Sequence, residues 1–221
     1  MKSVTRRTNK TFGIFLKAIA LLGVGFLIAA GYFYLDAIRD EALNLQPVAL
    51  PVSLIPGTIK TPEFKADVDS WDYEIVLNLG TNVDRRRMDC FLRDEANLDR
   101  CKGIPNLIDI SWELFEGGKV ALQGNSRTTA GMALVSTDLY EQKIGTFRAR
   151  RGHDYVIVLH VNRDASELNI AHPKIMVQIP RGYWEDHLMG IGFGKLFAGI
   201  SGVIGTTILV SAFAISRLTR G

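Results

Sequence analysis

The sequence predicts a membrane protein in which two transmembrane α-helices flank a mainly-β, antiparallel sandwich outside the cytoplasm. Three observations carry that expectation. Two long uncharged apolar segments lie near the chain ends, short turn-punctuated alternating runs fill the middle, and basic residues collect at both tips.

Residues 1–11 form a basic tail with Lys2, Arg6, Arg7 and Lys10, and Phe12 opens the first apolar segment, 12–35, interrupted only by Lys17. About 20 apolar helical residues cross a hydrocarbon core of about 30 Å, so this segment is long enough to span. A cleaved signal peptide would turn polar after Ala29, Ala30 and Gly31, whereas Tyr32, Phe33 and Tyr34 prolong the apolar run. An uncleaved anchor is therefore expected, with Tyr32 and Tyr34 at the headgroup level. Residues 36–70 hold Pro47, Pro51, Pro56 and Pro62 and read as an extended linker.

From 71 to 182 the texture is β. "WDYEIVLNLG" alternates Tyr73, Ile75, Leu77 and Leu79 against more polar neighbours; "LIDISWELF", "KVALQG", "IGTFRAR", "DYVIVLHV" and "PKIMVQI" follow, and a further strand is expected around Cys90. No long 3.6-period amphipathic helix intervenes, and such spacing predicts antiparallel sheets packed as a sandwich. "YVIVLHV" is apolar on both faces and so belongs at a sheet centre. Residues 126–143 have weak periodicity and receive no assignment.

Residues 183–188 form an interfacial segment with anchors Tyr183 and Trp184, 189–215 the second span, and 216–221 a basic tail with Arg217 and Arg220. Lys195 lies near the outer face, where it can snorkel to headgroups. Acidic Asp36, Asp40, Glu41, Glu185 and Asp186 flank the spans on the side facing the β region. Basic residues stay on the cytoplasmic side, so both termini are expected in the cytoplasm. The bacterial inner membrane with a periplasmic domain is the expected location, and an endoplasmic reticulum membrane with a lumenal domain is the alternative. Removing the tips leaves a mildly acidic body, which argues against a nucleic-acid partner.

Gly190, Gly194, Ala198 and Gly202 recur at every fourth position, Ser201 and Gly205 extend a neighbouring row, and the first span carries Gly25 and Ala29. Small residues let membrane helices approach closely. These eight are the predicted helix-packing residues, against the partner span, a second copy or another membrane protein.

Trp112 inside a strand and Tyr155 just after a turn resemble features of the immunoglobulin-like fold, where a buried tryptophan and a tyrosine corner take such places. The resemblance implies a sandwich of that kind. Two residues past Tyr155 is Ile157 rather than a cysteine. Cys90 and Cys101 are the two cysteines, both in the exported part, and are predicted to form a disulfide. Closing a loop of about 12 residues contributes roughly 3 kcal/mol in the chain-entropy model.

No cofactor or metal site is expected: His153, His160, His172 and His187 show no metal-ligand spacing. His160 shares a strand face with Val156 and Val158 and reads as a core or interface residue. No nucleophile elbow or phosphate loop is present, and Ser126 lies in a loop without triad partners at recognisable spacing. Arg85, Arg86, Arg87 and Arg148, Arg150, Arg151 form two basic clusters. They read either as partners of the domain's own carboxylates or as contacts for anionic headgroups or an acidic partner. The expected function is non-enzymatic: a membrane-anchored subunit, assembly factor or scaffold whose β domain docks a partner while its helices pack in the bilayer. The alternatives are a ligand-binding or sensory module signalling through a partner, and a membrane-bound hydrolase or transferase.

Overall fold

The computed structural model describes residues 2–68, 72–80, 88, 90, 91, 106–128, 131–135 and 139–218. Two apolar helices stand at the ends of the chain, α1 (Lys2–Glu41) and α2 (Arg181–Leu218), with an antiparallel β region between them. The chain divides into two compact units, Met1–Leu43 with Glu185–Gly221, and Asn44–Trp184. Each helix is long and apolar enough to cross a membrane by length and composition.

In the helical unit the two helices run antiparallel. Gly194 of α2 faces Ala37, Gly202 faces Ala30, and Gly205 faces Gly23 and Leu27 of α1. The buried positions of α2 are Ile191, Ala198, Gly205 and Ala212. On α1, Gly23 and Ala37 are buried, with Leu16 and Ala30 half-buried between and beyond them. Both sets repeat every seven residues, the period that keeps one seam facing a partner helix. At the ends of α1 and α2 nearest the β region, His187 Nε2–H donates to the Asp40 carbonyl at 3.0 Å and Lys195 Nζ lies 2.8 Å from Glu41 Oε2. The same carbonyl also accepts from Leu43 N at 3.2 Å, so the histidine adds a second bond at the last turn of α1.

The β unit consists of β1 (Val48–Pro51), β2 (Gly57–Lys60), β3 (Phe64–Lys65), β4 (Asp72–Gly80), β5 (Ile110–Glu116), β6 (Lys119–Asn125), β7 (Gly131–Val135), β8 (Leu139–Arg148), β9 (Asp154–Val161) and β10 (Lys174–Gln178). The first sheet has the order β1-β10-β4-β8-β7 and the second β2-β9-β5-β6, with β3 also on β9. Immunoglobulin domains set their last strand beside the one before it. Here the last strand, β10, lies between β1 and β4, and β2 and β3 take the edge of β9 instead. The predicted immunoglobulin-like arrangement is therefore not reproduced in the strand order.

Segment 36–70, expected as a linker, supplies the end of α1 and three strands. Pro62 cannot donate a hydrogen bond, so it splits the edge into β2 and β3. Thr61 bridges the gap: its N–H donates to Ile157 O (2.9 Å) and its hydroxyl accepts from Ile157 N (3.0 Å). Where a strand was expected around Cys90, the described residues Met88, Cys90 and Phe91 are helical and buried. Met88 and Phe91 stand three apart, on one helix face.

Trp112 of β5 ties the sheets together. It is 2% exposed and donates from Nε1 to Ile144 O of β8 at 2.9 Å. The register there steps from Ile75↔Gly145 to Val76↔Lys143, leaving Ile144 as a bulge. Gly124 and Gly145 flank the indole so closely that a Cβ on either would overlap it. Beside this pin, Tyr73 and Phe147 of the first sheet stack at 5.6 Å, and Phe147 meets Tyr155 of the second at 6.0 Å.

Candidate functional site

The outer face of the second sheet holds a hollow. Along β9, Tyr155, Ile157, Leu159 and Val161 are buried while Val156, Val158 and His160 alternate to the other, half-exposed side. Register places Phe115 beside Val156, and Glu113 and Lys60 on either side of Val158. Phe115, Val156 and Val158 floor a hollow of about 510 Å³ rimmed by Lys60, Glu63, Asp154 and the turn Gly117–Gly118. That turn is a two-residue hairpin whose left-handed conformations, φ +56° and +77°, favour glycine at both positions. Among the described residues, Lys60, Glu63 and Glu113 have no ion-pair partner; Asp154 is 3.9 Å from Lys65, both more than half exposed. His160 lies on this outer face rather than in the core, 3.1 Å from Thr58 Oγ1.

A charged corner lies where the end of β5 meets the start of β9. Glu116 Oε1 lies 2.8 Å from Arg150 Nη2 and 2.7 Å from His153 Nδ1. Tyr155 OH accepts from Arg150 N at 2.9 Å and donates to Glu116 Oε1 at 3.4 Å. The Arg150 hydrogen bond, and then the His153 contact, hold the Glu116 carboxyl below the usual carboxylate range. Arg150 is correspondingly pushed up. Tyr155 thus ties a turn five residues upstream, as a tyrosine corner does. Elsewhere in the unit, burial pushes the Tyr73 phenol up.

The structure sorts the residues singled out from sequence. Arg148 pairs with Asp72 at 3.0 Å and Arg150 with Glu116. These two guanidiniums therefore serve the domain's own carboxylates; Arg151 also has an interaction within the chain. Arg85, Arg86, Arg87 and Cys101 lie outside the described residues. Cys90 is buried, and no described cysteine is free. Gly194, Ala198, Gly202 and Gly205 line the helix seam, with Ser201 half-buried beside them. Gly190 and Gly25 stand off the seam, exposed and with open space around them; Ala29 is half-buried. Tyr32, Tyr34 and Tyr183 are exposed and Trp184 half-exposed, while Lys195 is engaged by Glu41. Ser126 is buried, its hydroxyl accepting from Ile110 N (3.0 Å) and donating to Ile108 O (3.5 Å). It extends the β5–β6 ladder. Among the described residues no group of three His, Cys, Asp or Glu side chains is placed to hold a metal ion.

The only sequence signal of the hollow is Phe115, a large apolar residue at a strand end just before Gly117–Gly118. The chain is thus of a class with two apolar end helices bracketing two antiparallel sheets. No protein-family model matches it, and no curated protein does. A crystal structure of a protein from Sulfurospirillum deleyianum matches with a TM-score of 0.46 and 16% identity, over 61% of this chain and 97% of that one.

Proposed function

We propose that this protein is a non-enzymatic membrane-anchored subunit, assembly factor or scaffold, whose exported β-sandwich docks a partner protein. In this reading α1 and α2 span the bilayer as a hairpin with both termini in the cytoplasm, and Asn44–Trp184 lies in the periplasm of a bacterial cell. Cys90 and Cys101 are joined there as a disulfide, favoured by the oxidising compartment and by the burial of Cys90.

The supporting observation is the outside of the helical unit. Away from the small-residue seam the helices turn large apolar side chains outward: Ile14 is 69% exposed, Leu21 71%, Val203 68% and Val210 63%. A patch of this extent on a water-soluble protein would be an association liability, whereas hydrocarbon solvates it. The docking part rests on the hollow, whose apolar floor is half-exposed among the described residues, with exposed Val120 beside Phe115 on the same face.

The test is a native gel of the full-length protein extracted from its own membranes in mild detergent. A discrete species larger than the detergent-bound 24.5 kDa chain is expected. Val156→Lys on the hollow floor should dissolve it, while Ile170→Lys on another exposed surface of the unit should leave it intact. Migration as a bare monomer, or equal behaviour of the two variants, would count against docking. Proteolysis of Asn44–Trp184 by protease added from the cytoplasmic side would refute the orientation.

A further inference from the structure

We infer that the cytoplasmic ends of α1 and α2 form one basic face that binds the phosphate groups of anionic phospholipids in the adjoining leaflet. This deepens the membrane reading above and rests on it.

The face follows from helix geometry. At about 100° per residue, positions Lys2, Arg6, Lys10 and Lys17 fall within about 80° of one another around α1, whereas Arg7 falls about 60° beyond Lys10. The middle of that sector lies about 100° around α1 from the contact residue Gly23. Arg217 lies about 120° around α2 from Gly205, the residue packed against Gly23. Equal turns, each taken in its own chain direction, lead from the contact line of two antiparallel helices to the same side of the pair. Arg217 and the basic sector of α1 therefore share a side. Their heights agree as well: Lys10 stands 13 residues before Gly23 and Arg217 stands 12 after Gly205, about 20 and 18 Å toward the same end.

No acidic residue of these helices lies at that end. Residues 1–35 and 187–221 contain no Asp or Glu. Asp36, Asp40, Glu41, Glu185 and Asp186, the acidic residues of the helical unit, stand at the opposite end, with Asp36 about 28 Å along α1 from Lys17. Lys17 is exposed and has no ion-pair partner among the described residues. Arg217 is exposed with its guanidinium 4.8 Å over the Phe213 ring, a stacking that leaves the N–H groups along its edge free for an oxyanion.

Depth selects the occupant. With the hydrocarbon running from Phe12 on α1 to Ile215 on α2, Lys10 and Arg217 each stand about 3 Å outside it and Arg6 about 9 Å, in or just beyond a headgroup layer about 5–7 Å thick. Lys17 lies about 8 Å inside, a depth its side chain can cover by snorkelling. Lipid phosphates occupy that layer, whereas a cytoplasmic protein would meet chiefly Lys2 and Arg6.

The test exposes the full chain in detergent to equimolar phosphatidylglycerol and phosphatidylcholine and counts bound lipid by native mass spectrometry. Phosphatidylglycerol adducts should exceed phosphatidylcholine adducts at least about 5-fold, the factor expected of one basic group near an anionic surface. Lys10→Gln with Lys17→Gln should bring the ratio within about 2-fold of unity, while Arg7→Gln should leave it at the parent value. Lys10→Thr with Thr11→Lys keeps composition and net charge but turns the charge about 100° off the face, and should lower the ratio as Lys10→Gln does. Equal adducts for the parent, an equal loss from Arg7→Gln, or an unaltered ratio after the Lys10/Thr11 exchange would each overturn the inference. Equal adducts together with loss of the native-gel species on Lys10→Gln would give the face to an acidic protein instead. A chain that stays in solution without detergent removes the membrane reading beneath; any of the other results from a chain that needs detergent removes this inference alone.

Discussion

Gly145→Ala tests the account of how the two sheets are joined. The added methyl group has no room, since a Cβ there would lie 2.5 Å from Trp112 Cε2 and 2.6 Å from Nε1. The indole cannot retreat, because Gly124 closes its other side and its N–H is held by Ile144 O at 2.9 Å. Overpacking of this kind costs about 1–3 kcal/mol, and displacing the ring leaves a buried donor unpaired for about 1–3 kcal/mol more. A total near 3 kcal/mol corresponds to a fall in Tm of about 6–12 °C for a unit of this size. The assay is thermal unfolding of the full chain in detergent, followed by near-ultraviolet circular dichroism. The same substitution in a Trp112→Leu background should be close to neutral, because the atoms it strikes are gone. A melting point for G145A within 2 °C of the parent, or an equal penalty in both backgrounds, would refute the reasoning.

Three further outcomes are expected. Ala30→Cys with Gly202→Cys should cross-link on oxidation, since a Cβ at Gly202 lies 3.9 Å from that of Ala30, near the disulfide ideal; Gly25→Cys with Gly190→Cys should stay reduced, and the reverse pattern on a non-reducing gel would disprove the seven-residue seam. Tyr155→Phe should destabilise the β unit by about 1–2 kcal/mol in urea titration, because Arg150 N loses its acceptor, and an unchanged midpoint would show the corner to be ornamental. Glu116, with its folded-state value depressed, stabilises the domain above its unfolded value near 4.3 and loses that contribution as pH falls through the folded value; Glu116→Gln should therefore flatten the acid limb of Tm against pH below about 5, with little change in slope above it.

Strands with a short-period pattern were readable from sequence: β4, β9 and β10 fall within the expected runs, and β5 and β6 overrun theirs by one residue each. The strands not readable from sequence are β1, β2, β3 and β7: the first three are short edge pieces among prolines, where few residues alternate and the backbone signal reads as a linker, and β7 lies in the weakly periodic segment 126–143. The helix seam was half legible. Counting every fourth residue from Gly190 finds Gly194, Ala198 and Gly202, but each such step overshoots a helix face by about 40°, so Gly190 has rotated off the contact. Seven-residue steps drift only about 20°, which is why Ile191, Ala198, Gly205 and Ala212 are the buried set. The hollow was least legible, since its floor comes from strands 40 residues apart and its rim from turns. Periodicity assigns faces within one element; which faces meet is decided by strand order, and strand order here was not in the local pattern.

β1 and β10 are neighbouring antiparallel strands, and the ladder continues past them through Ile179 N to Leu45 O at 3.0 Å. The chain therefore enters and leaves the β unit at one corner. A force drawing Asn44 and Trp184 apart would load those hydrogen bonds in series, so they would rupture singly like a zip, first at Leu45 and Ile179 and next at Val48 and Val177. Peeled strands resist far less than sheared ones, and the edge would tear away while β4, β8 and the Trp112 pin stayed folded. Mechanical tension in this protein thus has a preferred breaking point, and it lies where the chain enters and leaves the β unit.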